Sequence, residues 1–259
     1  MIVIDDPKDP RVADYVDIRE AHLVKRRGVF LAEGTEVVRT FLTKSPLEKR
    51  SVLIADRRVD ALRDVIDAAE VPVYVAAPEV MNRIVGFDIH RGCLAAGVVP
   101  RPASPHEVVP TGAQTVLFLE GLANHDNVGQ AFRNAAAFGV GAVWLDEACA
   151  DPLYRKAIRT SMGAALTVPF ARARLEDLDA LEGFEVVAMS PAGRDLAEVP
   201  RSARTVVLVG TEGAGLSAAA MARADHTASI PMAPGHDSLN VATAAAIALY
   251  TLTRPLDGR

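Results

Sequence analysis

TVVLVGTEGAGLSAAAMARADHTASIPMAPGHDSLNVATAAAIALYTLTR, residues 205–254, is the stretch of this chain that decides its fold. It opens with an apolar β-branched run, residues 206–209, that stops at Gly210, which predicts a buried strand ended by a turn. The elements predicted next are a short helix from Ser217, a second strand over residues 226–230 and an alanine-rich helix starting at Ser238. Strands that alternate with helices are typical of an α/β sheet.

Glycines mark the loop that follows the first of these strands. Gly210, Gly213 and Gly215 leave the backbone free to take positive φ or to approach another group closely. The loops of an open α/β sheet meet at the carboxyl ends of its strands, where ligands bind. The alternative is that these glycines only make turns. Their G-x-x-G-x-G spacing is not the dinucleotide fingerprint, and the chain has no G-x-x-x-x-G-K-[ST] phosphate loop.

Composition limits the class of protein further. The chain has 259 residues, 50% of them hydrophobic, which suits one large domain or two moderate ones. No apolar run reaches the length of about 18 residues that spans a membrane, and the first ten residues are acidic, so we expect a soluble cytoplasmic protein. Only Cys93 and Cys149 are present, without a C-x-x-C pair, which predicts neither a disulfide nor a metal site. The net charge of -5 argues weakly against nucleic acid, but a local basic surface can still bind phosphate.

The chain divides at a proline-rich segment. Residues 100–112, PRPASPHEVVPTG, contain four prolines and predict a semi-rigid linker. Residues 1–99 form a smaller α/β domain by this criterion, and residues 113–259 form a second one. Basic residues that we consider for binding nucleic acid, or alternatively as solvated surface groups, are Lys25, Arg26, Arg27, Arg155, Lys156 and Arg159.

Several motifs resemble those of one family. In order, they are NVGQAFRN at 127–134, RTSMGA at 159–164, LVGTEGAGL at 208–216, IPM at 230–232 and SLNV at 238–241. They resemble, in order and spacing, the signature motifs of the SpoU/TrmH branch of the SPOUT RNA 2′-O-methyltransferases. FLAEG at 30–34 and HRGCLAAG at 90–97 look like the substrate-binding domain that many members carry ahead of the catalytic domain.

The resemblance implies properties that composition does not show. It implies a parallel α/β sheet whose C-terminal segment forms a deep trefoil knot, preceded by a ribosomal-protein-like RNA-binding domain. It also implies binding of S-adenosylmethionine (AdoMet) in the knot, an RNA substrate, and a homodimer with catalytic groups near the subunit interface. No membrane partner is expected.

The resemblance also assigns roles to individual residues. Backbone contacts to the cofactor are expected from Gly210, Ile230 and Leu239, and the polar active-site positions are Asn127, Arg133, Glu212, Ser238 and Asn240. The family's first-motif arginine has been proposed as a base, but neutralising a guanidinium at pH 7 costs on the order of 8 kcal/mol. We therefore expect Arg133, held by Asn240, Ser238 or Glu212, to position the ribose or its phosphate and to stabilise charge on oxygen.

One departure and several alternatives remain open. Asn124 and His125 stand where many members have Asp-Pro, which suggests a changed loop conformation. An rRNA substrate is favoured over a tRNA because tRNA enzymes of this family often lack the N-terminal domain. An inactive RNA-binding protein is disfavoured because all the polar positions hold the expected residue types, and an oxidoreductase because the dinucleotide fingerprint is absent.

Overall fold

The structure is a computed structural model, and it describes residues 1–16, 18, 23–236 and 238–253. Asp237 and Arg254, which belong to the stretch quoted first, lie outside the described residues. The chain splits into two compact units. Unit 1 consists of Met1–Arg101 and Pro152–Thr167, and unit 2 consists of Pro102–Asp151 and Val168–Arg259.

Unit 1 is built on a mixed five-stranded sheet. Its strands are β1 (Ile2–Val3), β2 (Val29–Glu33), β3 (Lys49–Ala55), β4 (Val73–Ala76) and β5 (Cys93–Val98), in the spatial order β1-β4-β3-β5-β2. The helices are α1 (Thr35–Lys44), α2 (Val59–Ile66) and α3 (Pro78–Val85). Strand β5 runs antiparallel to β2 and β3, whereas β4 runs parallel to β1 and β3. Shorter elements are 3-10 helices at Pro10–Tyr15, Asp56–Arg58 and Ala164–Leu166 and a π-helical turn at Leu23–Arg27.

Unit 2 is built on a six-stranded sheet in which every pair of neighbours is parallel. Its strands are β6 (Thr115–Glu120), β7 (Ala142–Leu145), β8 (Phe170–Arg172), β9 (Glu185–Asp195), β10 (Thr205–Gly210) and β11 (His226–Ser229), in the order β11-β9-β10-β6-β7-β8. The remaining helices are α4 (Pro105–Val108), α5 (His125–Ala137), α6 (Arg155–Thr160), α7 (Ala218–Ala222) and α8 (Val241–Leu252), of which α6 belongs to unit 1. Further 3-10 helices lie at Leu175–Ala180 and Leu196–Glu198.

Strands β6, β7 and β10 of unit 2 are apolar, as is typical of a parallel sheet that is covered on both faces. Val206 and Leu208 of β10 and Phe118 of β6 are fully buried, and so is Trp144 of β7. The prediction of an α/β protein with a parallel sheet is confirmed. None of the described helices is long and apolar enough to cross a membrane.

The start of the last helix was predicted wrongly. Helix α8 begins at Val241, not at Ser238, because Asn240 is its N-cap. The Asn240 side-chain oxygen accepts hydrogen bonds from the backbone N–H groups of Ala242 and Thr243, at 3.0 and 3.3 Å. Both serine and asparagine are good N-caps, and here the asparagine has the role. Ser238 and Leu239 therefore stay in the loop before the helix, where their backbone groups are not used by helical hydrogen bonds.

The boundaries of the two compact units differ from the predicted domain boundaries in two places. The predicted linker, residues 100–112, contains helix α4, and Val108 and Val109 pack against the core of unit 2. These two valines make part of the segment an element of unit 2 instead of a spacer. The segment Pro152–Thr167 groups with unit 1, although a boundary at residue 113 would give it to the second domain.

Candidate functional site

The carboxyl ends of β6 and β10 lie side by side. Gly210 and Glu120 are register partners at the last position of these parallel strands. The Glu120 carboxylate accepts hydrogen bonds from the Ser217 backbone N–H and hydroxyl, both at 2.7 Å. Ser217 is also the N-cap of α7, as predicted. The loop after β10 is therefore tied at its far end to the neighbouring strand.

Gly210 has no room for a side chain. A Cβ atom there would lie 2.3 Å from the Gly215 carbonyl carbon and 2.4 Å from the Leu216 nitrogen. The loop returns on itself at this point, with the Gly215 N–H donating to the Thr211 carbonyl at 2.9 Å. Gly213 and Gly215 take the positive φ values 88° and 71° that this tight return requires. Gly210 thus does more than end strand β10, because its missing side chain allows the backbone of residues 215 and 216 to pack directly against it.

Three predicted active-site residues are joined by hydrogen bonds. The Asn240 side-chain amide donates to Asn127 Oδ1 at 2.9 Å and to Glu212 Oε1 at 2.8 Å. The Asn127 amide donates to the same Glu212 oxygen at 3.2 Å. Asn127 is buried, whereas Glu212 and Asn240 are exposed. We refer to these three side chains as the amide–carboxylate triangle.

The triangle fixes three segments of unit 2 against one another. Asn127 comes from the first turn of α5, Glu212 from the loop after β10, and Asn240 from the N-cap of α8. Because Asn240 uses its amide for the triangle and its oxygen for the cap, a single side chain connects the helix start to the loop. Among the described residues, Glu212 Oε2 takes part in no hydrogen bond, so only one of the two carboxylate oxygens is used by the triangle.

The loop before α5 keeps a conventional helix start. Asn124 is the N-cap of α5, and its side-chain oxygen accepts from the Asp126 N–H at 2.8 Å. Asparagine and aspartate are about equally good N-caps, and the position after the cap is the one where proline is common. Asn124 and His125 therefore fill the structural positions that an Asp-Pro pair would fill.

Arg133 is not part of the triangle. It follows Asn127 by six residues, which places it about 120° around the helix and about 9 Å along the axis. Its side chain is exposed. The expected hydrogen bonds from the Arg133 guanidinium to Asn240, Ser238 or Glu212 are not present within the described part of this chain. Its neighbour Asn134 is the residue that contacts α8, donating to the Ala242 carbonyl at 2.8 Å.

The residues predicted to hold the cofactor lie at the ends of β10 and β11 and in the loop before α8. Ile230 directly follows β11, and Leu239 lies in the exposed loop before α8 with 40% of its surface accessible. Apart from chain neighbours, no atom of the described residues lies within 4 Å of the positions that a Cβ would take at Gly213, Gly215 and Gly235. The backbone of these loops is therefore open on the side where a side chain would stand.

All six basic residues predicted to bind RNA belong to unit 1. Lys25, Arg26 and Arg27 are exposed, and Arg27 also donates to the Ala13 carbonyl at 3.1 Å. Arg155 is engaged in structure: its guanidinium lies 3.2 Å from the buried Glu33 carboxylate and 4.9 Å from the centre of the Phe87 ring. The last two of the six basic residues lie on α6. Lys156 is exposed and Arg159 is half-buried.

The Arg155–Glu33 pair predicts a stability effect. Arg155→Ala should lower the free energy of unfolding by about 2 kcal/mol, because it leaves a largely buried carboxylate without its cation. Adding Glu33→Gln should recover about 1 kcal/mol, since the uncompensated charge is then gone. Urea denaturation of the two variants and of Lys156→Ala, an exposed neighbour on the same helix, measures this. If Arg155→Ala is as stable as Lys156→Ala, the pair has no structural role.

Neither cysteine is suited to nucleophilic chemistry. Burial raises the pKa of the Cys149 thiol to about 12, with a further contribution from the Asp146 carboxylate beside it. Burial also raises the pKa of the Cys93 thiol. Both groups stay protonated near neutral pH, and the thiolate is the nucleophilic form. In the described ranges, no group of three or more His, Cys, Asp or Glu side chains is placed to hold a metal ion.

Two residues of the site were missed in the sequence. Glu120 fixes the loop after β10, and Asn134 joins α5 to α8. A signal for Glu120 does exist, because a charged residue that ends a buried strand and precedes a glycine is placed at the ligand-binding edge. For Asn134 the signal is its spacing of seven residues from Asn127, which puts both on one face of the helix.

The sequence of this chain is similar to those of several known proteins. Residues 114–250 match the sequence model described as SpoU rRNA Methylase family. An uncharacterized tRNA/rRNA methyltransferase of Mycobacterium tuberculosis is 43% identical, over 96% of this chain and 90% of the relative. The 23S rRNA (guanosine(2553)-2′-O)-methyltransferase RlmP of Bacillus subtilis is 28% identical, over 96% of this chain and 98% of its own length.

A solved structure agrees with the sequence relatives. The AdoMet-bound rRNA methyltransferase from Sinorhizobium meliloti has a TM-score of 0.84 and 26% identity, covering 99% of this chain and 98% of that one. The family match covers the whole of the parallel sheet and the triangle, and the relatives cover unit 1 as well. This chain is an RNA methyltransferase of the SpoU rRNA Methylase family.

Proposed function

We propose that this protein transfers a methyl group from AdoMet to a ribose 2′-hydroxyl of rRNA. The observation that carries the proposal is the amide–carboxylate triangle, which joins three family motifs at the ligand-binding edge of the sheet. RlmP, whose name specifies 2′-O-methylation of 23S rRNA, aligns with nearly the whole chain and supports this substrate class. A tRNA substrate is the alternative, because the Mycobacterium relative is named for both RNAs.

The cofactor would be held by backbone groups of Gly210, Ile230 and Leu239, within the trefoil knot that the family resemblance implies. When bound, AdoMet supplies an electrophilic methyl group on a sulfonium. The chain's own contribution is the preformed loop: Gly210 keeps its main chain tight, and Glu120 anchors its end. Little reorganisation is then needed when the ligand enters.

The polar residues would bind and orient the RNA. Methyl transfer requires the 2′-oxygen at about 3 Å and in line with the bond that breaks, so orientation supplies much of the acceleration. Arg133 would contact the ribose or its phosphate and stabilise negative charge as the hydroxyl loses its proton. Asn127 and Asn240 would hold the Glu212 carboxylate, and Ser238, exposed in the adjacent loop, would contact the ribose.

The proposal includes a homodimer. Helix α8 contains no charged residue in its twelve positions, yet Thr243 and Tyr250 are exposed, Tyr250 with 51% of its surface. Helix α5, which packs beside α8, exposes Ala136 and Ala137. Uncharged exposed residues on two adjacent helices leave this surface able to pack against a second subunit. Arg133 and Glu212 Oε2 have no hydrogen-bond partner among the described residues, and a second subunit would bring such groups together.

Unit 1 would bind the RNA outside the reacting nucleotide. Its exposed residues Lys25, Arg26 and Lys156 provide cations, and the resemblance of FLAEG and HRGCLAAG to a substrate-binding domain supports this role. We also assign to unit 1 the ribosomal-protein-like fold that this resemblance implies. The predicted division into an RNA-binding domain and a SPOUT domain is retained in this form.

A methyl-transfer assay tests the proposed function. Purified protein should transfer tritiated methyl groups from AdoMet to rRNA isolated from cells lacking the gene, and nuclease digestion should place the label on a 2′-O-methyl ribose. Asn240→Ala should reduce the rate on the order of 100-fold, because it removes the shorter of the two hydrogen bonds that hold Glu212 and also the N-cap of α8. Label in tRNA alone would overturn the rRNA assignment. No label in either RNA and no heat of AdoMet binding in calorimetry would overturn the proposed function.

A further inference from the structure

Three strand ends meet at one edge of the sheet in unit 1. The Gly34 N–H, directly after β2, donates to the Cys93 carbonyl at 3.1 Å. The Ala55 N–H, at the end of β3, donates to the Gly92 carbonyl at 2.8 Å. Because Cys93 begins β5, the segments that follow β2 and β3 lie on either side of the one that precedes β5. Gly34 and Gly92 are thus close together.

An arginine side chain lies over each of these glycines. A Cβ at Gly34 would be 2.9 Å from Arg91 Nη1 and 3.0 Å from Arg91 Cδ, and a Cβ at Gly92 would be 3.1 Å from Arg58 Cγ. Both glycines also have positive φ, 99° and 64°. The absence of side chains at these two positions makes room for the two arginines. We call Arg58 and Arg91 the arginine pair.

The arginine pair is not neutralised by acidic groups. Arg58 and Arg91 are both exposed, and neither forms an ion pair with any residue in the described parts of the chain. Two carboxylates are nearby in sequence: Asp56 accepts the Arg57 backbone N–H, and Asp88 accepts from the Asn82 amide at 3.0 Å. Other exposed arginines of unit 1 do have acidic partners, as Arg11 has in Asp9 and Arg63 in Asp60.

An exposed aromatic ring comes from the same loop as Arg91. Phe87 has 38% of its surface accessible, and the Arg155 guanidinium covers part of its ring. Arg155 is in turn fixed by Glu33, the residue before Gly34. A surface that combines free guanidinium groups with an exposed ring suits an RNA strand, which offers both phosphates and bases, better than it suits an isolated phosphate ion.

We propose that Arg58 and Arg91 are phosphate-contacting residues for the RNA substrate, a role that we did not expect from the basic runs in the sequence. The inference rests on the proposed function in that the ligand is RNA. The planar guanidinium forms two parallel hydrogen bonds to phosphate oxygens, and Gly34 and Gly92 leave the space that the two arginine side chains occupy. Arg155, by contrast, is engaged by the Glu33 carboxylate and by the Phe87 ring.

The test compares two double variants by their binding to an in vitro transcript of 23S rRNA. Arg58→Gln/Arg91→Gln removes the arginine pair. Arg11→Gln/Arg63→Gln removes the same charge from the same unit, at exposed arginines that pair with Asp9 and Asp60. Each lost phosphate contact makes the plot of log affinity against log salt shallower by about 0.7 to 0.9, so the first variant should lose about 1.4 to 1.8 in slope. The control should keep the wild-type slope.

Further readouts separate the outcomes. The Arg58/Arg91 variant should bind rRNA about tenfold more weakly at about 0.1 M salt, with an unchanged affinity for AdoMet in calorimetry and an unchanged unfolding temperature. Wild-type rRNA affinity and slope in this variant, alongside active wild-type enzyme, would overturn the inference and leave the proposed function intact. A wild-type protein that binds no rRNA and transfers no methyl group would overturn both.

Discussion

A heterodimer with Arg133→Ala in one subunit and Asn240→Ala in the other should have about half the methyl-transfer activity of the wild-type dimer, although each variant homodimer is nearly inactive. The two subunits can be given different affinity tags and purified together. The expected activity follows if each active site combines Arg133 of one subunit with the amide–carboxylate triangle of the other. One of the two sites in this heterodimer then keeps both groups, and the other lacks both.

The geometry of a single chain is the reason for this expectation. Arg133 is exposed and lies about 120° around α5 from Asn127, which belongs to the triangle. In the chain as described, Glu212 uses Oε1 for both amides and has no partner for Oε2. A guanidinium arriving from a second subunit would find an open carboxylate oxygen. The exposed apolar surface of α5 and α8 offers a contact that places it there.

The mirror arrangement is the matched control. A heterodimer with both substitutions in one subunit and a wild-type partner has one altered group in each composite site, so it should be nearly inactive. If Arg133 instead works with the triangle of its own chain, the two results exchange: the double-variant heterodimer has about half the activity and the first heterodimer has almost none. Size-exclusion chromatography of each sample verifies that it is a dimer.

The fold followed from local signals because its strands are unambiguous. The β-branched run in β10 is apolar on both faces and ends at a glycine, and the structure places the strand at Thr205–Gly210. The helix start at Ser238 failed because local preference does not separate two good N-caps, Ser238 and Asn240. The choice depends on the triangle, since Asn240 also contacts Asn127, which lies 113 positions earlier.

The sequence predicted which residues form the site, but it did not predict how they are arranged. The motifs put Asn127, Glu212 and Asn240 on one list, and the structure joins them. The same motifs listed Arg133 beside them, although helical geometry separates it from Asn127. Arg155 was predicted to contact RNA because it lies in a basic run, and that stays a prediction; its pairing with Glu33, 122 positions away, was not predicted. Contacts between distant residues are set by tertiary packing, which local patterns do not contain.

Gly210→Ala should weaken AdoMet binding on the order of 100-fold, equivalent to about 2.7 kcal/mol. The new Cβ would lie 2.3 Å from the Gly215 carbonyl carbon, so residues 211–215 must move away from the end of β10. That movement breaks the hydrogen bond from Gly215 to Thr211 and displaces the backbone groups proposed to hold the cofactor. Titration calorimetry with AdoMet measures the affinity, and thermal unfolding measures the cost to the fold, about 1 to 3 kcal/mol for such overpacking.

Gly139→Ala separates this effect from the general cost of replacing a glycine. Gly139 has a positive φ of 68°, but no atom lies within 4 Å of the position of its Cβ. An alanine there is strained by about 1 kcal/mol through its backbone alone, and it should leave AdoMet affinity unchanged. Should Gly210→Ala bind AdoMet as tightly as Gly139→Ala, the loop after β10 does not hold the cofactor. A loss of affinity confined to Gly210→Ala would mean that the close approach of two backbone segments at Gly210 is what gives the cofactor loop its shape.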